Sequence, residues 1–177
     1  MVTHKEFGIP FSGLKLGAHS FEYQINNKFF ESFGYHEFNE ADILVQVQFN
    51  KMTTVMELDM SANGTVNVAC DLTNEPFDLA VKASLELVIK FGEEYNDEDD
   101  EVLVIPHAEH QINIAQYIYE MLVLAVPSKR IHPGVEDGTL ESEALRKLEE
   151  LQPKETQKND DKTDPRWDAL KDLLTDK

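Results

Sequence analysis

A single cysteine, Cys70, and a single tryptophan, Trp167, stand among 177 residues, and no apolar run approaches the roughly 18 residues of a membrane-spanning helix. One cysteine excludes an internal disulfide and leaves a cysteine-based zinc site short of most of its ligands. Positive charge is scarce as well: 16 basic residues face 34 acidic ones, for a formal net charge of -18. Phosphate backbones are held by Lys and Arg, so this balance opposes unaided nucleic-acid binding and suits solubility, a basic protein partner or a local basic site. The opening MVTHKEFGIPFSG lacks the charged and apolar regions of a signal peptide, and the expected location is the cytoplasm, with no membrane partner. There is no Gly-rich phosphate loop and no Gly-x-Ser-x-Gly elbow. His107 and His110, with Glu109 between them, could bind a metal or move protons, but they precede the helix and lack a Glu-x-x-His companion, so exposed histidines are expected. The sequence therefore points to no enzyme, no cofactor and no metal.

What is present suffices for a core: 41% of residues are hydrophobic and ten are phenylalanine. From Ala41 to Gly92 apolar residues alternate with the period of a half-buried strand, and Ile43, Val45, Val47 and Phe49 share one face. Ala62, Asn63 and Gly64 offer a turn through the Asn-Gly pair, so Thr53 to Ser61 and Thr65 to Cys70 are expected to form a hairpin. Thr73 to Pro76 makes the next turn, and Phe77 to Phe91 a long, bending strand. Leu14 to Ile25 adds one or two strands more. Glu93 to Glu101 carries seven acids in nine residues and reads as a solvated loop; a cation site or a contact for a basic partner is the functional alternative, although a calcium-loop pattern is missing. After a short strand, VLVIP, the segment His110 to Pro127 repeats Ile114, Ile118, Met121 and Ala125 at helical spacing. Asn113 is the expected N-cap, with Gln116 three residues on, and Pro127 the stop.

Beyond Gly134 the composition turns polar, with one short helix expected through Ala144, Leu145, Leu148 and Leu151, and a linker from Lys154 to Lys162. At the end, Asp164 can cap a helix, Pro165 suits its first position, and Trp167, Leu170 and Leu174 line one face. So short a helix gains stability by docking, either on its own domain or on another molecule. The expected organisation is a domain over 1–133, an acidic and polar linker with a short helix over 134–163, and a docking helix over 164–175. The fold class is α+β: an antiparallel sheet, a meander whose closure into a barrel stays open, packed by one central helix and followed by a linker-tethered C-terminal helix.

Three segments carry a resemblance. The terminal DPRWDALKDLL resembles the closing motif of the YceD-like family, the large ribosomal RNA subunit accumulation proteins. ACDLTNEPFDLAV, Ala69 to Val81, is similar to the family's cysteine-bearing turn and the strand after it, and INIAQYIYEMLVLAVP, Ile112 to Pro127, to its helix with a closing proline. All three occur in the family's order, over roughly residues 42 to 174. Many members carry Cys-x-x-Cys at the turn; here the positions hold Cys70 and Thr73, and Cys70 is expected to be a small, semi-buried strand residue. The resemblance implies a non-enzymatic factor supporting 23S ribosomal RNA accumulation, its processing or large-subunit assembly. Its partners would be that RNA or its precursor, ribosomal proteins or a processing enzyme. It also implies a binding role for Asp164, Pro165, Arg166, Trp167, Leu170 and Leu174, with Arg166 suited to a phosphate or carboxylate. Lys129 and Arg130, in SKRIHP, form the local basic cluster that could touch RNA, or else lie along the surface at a helix end. The alternative function is an acidic adaptor or chaperone for a basic partner, with no direct RNA contact.

Overall fold

The computed structural model describes residues 5–99 and 101–151. The chain divides into two compact units, Met1–Leu140 and Glu141–Lys177. In the first, a 3-10 turn leads into β1 (Gly8–Ile9), followed by β2 (Gly17–Asn26), α1 (Asn27–Ser32), β3 (Glu40–Lys51), β4 (Val55–Ala69) and β5 (Pro76–Gly92). Next come β6 (Asn96–Asp99), β7 (Val102–Pro106), β8 (Ile112–Asn113), α2 (Ala115–Ala125) and α3 (Pro133–Glu136). The second unit contributes α4 (Glu143–Leu151), which carries a Glu143–Lys147 ion pair at 2.7 Å and no buried residue. The expected docking helix, with Asp164, Pro165, Arg166, Trp167, Leu170 and Leu174, lies outside the described residues, as does the linker from Lys154.

Alternation builds the main sheet. Ile43, Val45, Val47 and Phe49 are fully buried, and their partners across β4 are Gly64, Ala62, Met60 and Leu58. Those pair in turn with Val81, Ala83, Leu85 and Leu87 of β5, so one apolar face runs unbroken across the strands. Ile118, Met121 and Leu122 of α2 are buried in the same core, with α2 packed against β5. Aromatic side chains fill the end beside α1, where Phe33 stacks on Tyr119 of α2 at 4.5 Å and Phe30 meets Phe38 edge-on at 4.9 Å. Phe7, Ile9 and Phe11 bring the N-terminal segment into the core, where β1 pairs with β8 as a separate two-stranded sheet.

Several expectations are corrected. The sheet is mixed and open, in the order β2-β3-β4-β5-β7-β6, and no pairing closes it into a barrel among the described residues. Strands β2 to β5 are antiparallel neighbours, but β5 and β7 run parallel. The parallel pair arises because the acidic stretch does not loop out: Asn96–Asp99 forms the outer edge strand, and the chain returns to lay β7 between it and β5. Solvation and strand pairing coexist there because an edge strand can keep its charged side chains in water. Among the described residues α2 is accompanied by three further α-helices, α1, α3 and α4, the last lying where a short helix through Ala144, Leu145, Leu148 and Leu151 is expected.

The Asn63-Gly64 pair is not a turn. It sits in mid-β4, paired to Leu44 and Ile43 on one side and to Lys82 and Val81 on the other, so hydrogen bonding from two long neighbours keeps it extended. Gly64 serves close approach instead: a Cβ there would lie 2.2 Å from the Asp42 carbonyl oxygen and 2.5 Å from the Ile43 Cα. The turn between β3 and β4 falls at Met52, whose N–H donates to the Val55 carbonyl at 3.0 Å. The next one runs from Cys70 to Glu75, with Asn74 at φ 59. Helix α2 starts one residue later than expected: buried Ile114 occupies the N-cap position, while the Asn113 side chain still accepts from the Ala115 N–H at 2.9 Å. Gln116 reaches forward to Glu120.

Candidate functional site

Two surfaces gather the residues that could do work. The first follows α2, where Val126 ends the helix and Pro127 prevents its continuation. The SKRIHP segment is stitched there to the turn after β4. Asp71 N–H donates to the Arg130 carbonyl at 2.8 Å, Arg130 N–H donates to the Asp71 carboxylate at 2.7 Å, and the guanidinium lies 3.7 Å from Asp71 and 3.6 Å from Glu37. Arg130 is thus held between two carboxylates, while Lys129 is exposed. The structure brings these two proposed binding residues onto one segment; the six from Asp164 to Leu174 are beyond its described range.

Cys70 lies beneath that clasp, 2% exposed, in the turn rather than in the strand. Its sulfur accepts from the His132 N–H at 3.3 Å. Burial alone would push the thiol up, but the Thr73 hydroxyl and the N–H groups of His132, Leu72 and Thr73 outweigh it, and the thiol sits below its ordinary value. Thr73 therefore contributes a hydroxyl donor to the Cys70 thiol. His132 is used up locally: its Nδ1 accepts from the Gly134 N–H at 2.9 Å, capping α3, and its ring meets Phe77 edge-on. Among the described residues no cluster of His, Cys, Asp and Glu is arranged to hold a metal. His107 and His110 are exposed, and the His107 ring stacks on Phe91 at 5.5 Å.

The second surface is a groove of about 720 Å3 between α2, the middle of β5 and β6. Its floor is apolar, from Ala83 and Leu85 of β5 and Met121 and Ala125 of α2. Leu124 stands beside it, 83% exposed. Acids rim it: Asp97 and Asp99 from the edge strand and Glu120 from α2. The Tyr95 hydroxyl donates to Asp97 at 3.2 Å and is itself hydrogen-bonded to Tyr117. The Tyr117 phenol is pushed well above its usual range by burial first, then by that bond and by the charges of Asp97 and Glu120. The acidic run and the helix are each legible in the sequence but their meeting is not, since the parallel β5–β7 pairing is what carries the run beside α2.

Residues 58–174 match the family described as large ribosomal RNA subunit accumulation protein YceD, over about two thirds of the chain. Nothing matches among curated proteins, nor among solved structures. The match takes in most of β4, then β5, the Cys70 turn, the acidic edge, α2 and the terminal Asp-Pro-Arg-Trp stretch. The chain belongs to the YceD family of large ribosomal RNA subunit accumulation proteins.

Proposed function

We propose that this protein is a non-enzymatic factor supporting 23S ribosomal RNA accumulation and large-subunit assembly, and that it acts through protein contacts rather than by gripping RNA with its folded core. The family supports the first half of this reading. The second is carried by one observation: Arg130, half of the core's local basic cluster, is committed to Glu37 and Asp71. Those two carboxylates already offset the guanidinium's charge and would repel an approaching phosphate, so Arg130 adds little to a phosphate contact. The chain's net charge of -18 works in the same direction.

The test is genetic and quantitative. In cells lacking the protein, the ratio of 23S to 16S RNA should fall, and re-expression of the full chain should restore it. A ratio that stays at the level of the unmodified strain would refute the role. Restoration by a variant carrying Lys129→Ala and Arg130→Ala at normal abundance is the expected result if the core works through protein.

A further inference from the structure

The α2–β6 groove combines features that an ordinary solvated surface does not need. A well-exposed leucine, Leu124, stands beside an apolar floor, and Tyr95, 56% exposed, adds an aromatic wall. Exposed apolar surface rimmed by charge marks a docking site, and the charge selects the occupant. Here it is of one sign only: among the described residues Asp97, Asp99 and Glu120 line the groove and no Lys or Arg does. A second copy of this chain would bring further net negative charge to the same place. RNA is disfavoured for the same reason.

We propose that this groove is the docking site for an arginine-bearing amphipathic segment of a partner protein, which lays apolar side chains over Leu85, Met121 and Leu124 and sets its guanidinium groups against Asp97, Asp99 and Glu120. Arginine fits better than lysine. Its planar, weakly hydrated head can stack on Tyr95 and bind a carboxylate with two parallel N–H donors, and its stem covers apolar floor. The Tyr117–Tyr95–Asp97 hydrogen bonds hold the edge-strand wall in place before anything binds. The identity of the partner as a member of the large-subunit pathway rests on the function proposed above; the chemistry of the groove does not.

The experiment uses the full chain and a fluorescein-labelled peptide of repeated Leu-Arg-Arg-Leu units, followed by anisotropy over a salt series, with matching peptides in which arginine is replaced by lysine or by glutamine. Binding should follow the order arginine, lysine, glutamine and weaken as salt rises. The pair Asp97→Asn with Glu120→Gln should weaken the arginine peptide by about tenfold, and Leu124→Ser should weaken it without changing the salt response. All three residues are exposed, so the fold is expected to survive these changes. Asp59→Asn with Glu86→Gln, an equal charge change at paired exposed positions of β4 and β5, should leave affinity unchanged. Equal loss in that control would reduce the binding to diffuse attraction and overturn the site. Absence of binding would overturn it too. So would groove-dependent self-association in sedimentation, or binding that appears only in Trp167→Ala, which would give the groove to the chain's own terminal stretch. A chain that sustains 23S RNA yet ignores the peptide sinks the groove alone; one that takes the peptide but leaves 23S RNA unaffected sinks the ribosomal role alone.

Discussion

Gly64 shows how one residue's meaning depends on what lies beside it. An Asn-Gly pair between alternating segments signals a hairpin, but two long neighbouring strands claim its backbone, and the missing side chain becomes the reason the strands can approach. Gly64→Ala must drive a methyl into the Asp42 carbonyl, and a loss of about 1–3 kcal/mol or more is expected in the denaturant midpoint. No change in midpoint would mean that the strands separate there at no cost. Cys70 makes a second case. The sequence identifies a lone, semi-buried thiol but neither its full burial nor its donors, because His132 reaches it from a segment 62 residues away. With its folded pKa lowered, this group's contribution to stability is present above the unfolded thiol value of 9.0 and is lost as pH falls through the folded value. Thiolate absorbance should accordingly rise below 9.0, and Thr73→Val should move the transition back up. A wild-type transition at or above that value would refute the donor arrangement.

Among elements, those with strong periodicity were legible and those defined by their partners were not. The β3 face, the length of β5, the β7 segment and the body of α2 follow from residue spacing alone, since each buries a stripe that only one period can present. Strands β1 and β8 have two residues each, too few to show any period, and β6 carries no apolar residue at all. The parallel placement of β7 is a tertiary outcome of where the acidic run goes, and so is the groove. Helix α2 separates the two kinds of surface within three turns. Ile118→Ala empties a fully buried site and should cost about 2–5 kcal/mol. Leu124→Ala should stay within about 0.5 kcal/mol in the same thermal or denaturant assay. Comparable losses at both sites would mean that Leu124 is packed in solution and that its face is already covered.

At the scale of the whole molecule, charge and family pull in opposite directions: a chain of net charge -18 belongs to a family concerned with ribosomal RNA. The two are compatible if the protein meets the assembling subunit through its basic proteins, with the acidic groove turned to them and Arg130 spent on internal ion pairs. The family was legible in three short motifs, the groove in none of them. The decisive measurement is ultraviolet crosslinking of the tagged chain to RNA in growing cells, with sequencing of what is recovered. Contact through protein requires recovery of 23S sequences no better than from an untagged control. Crosslinks concentrated at defined positions of the 23S precursor would show that the protein grips the RNA itself.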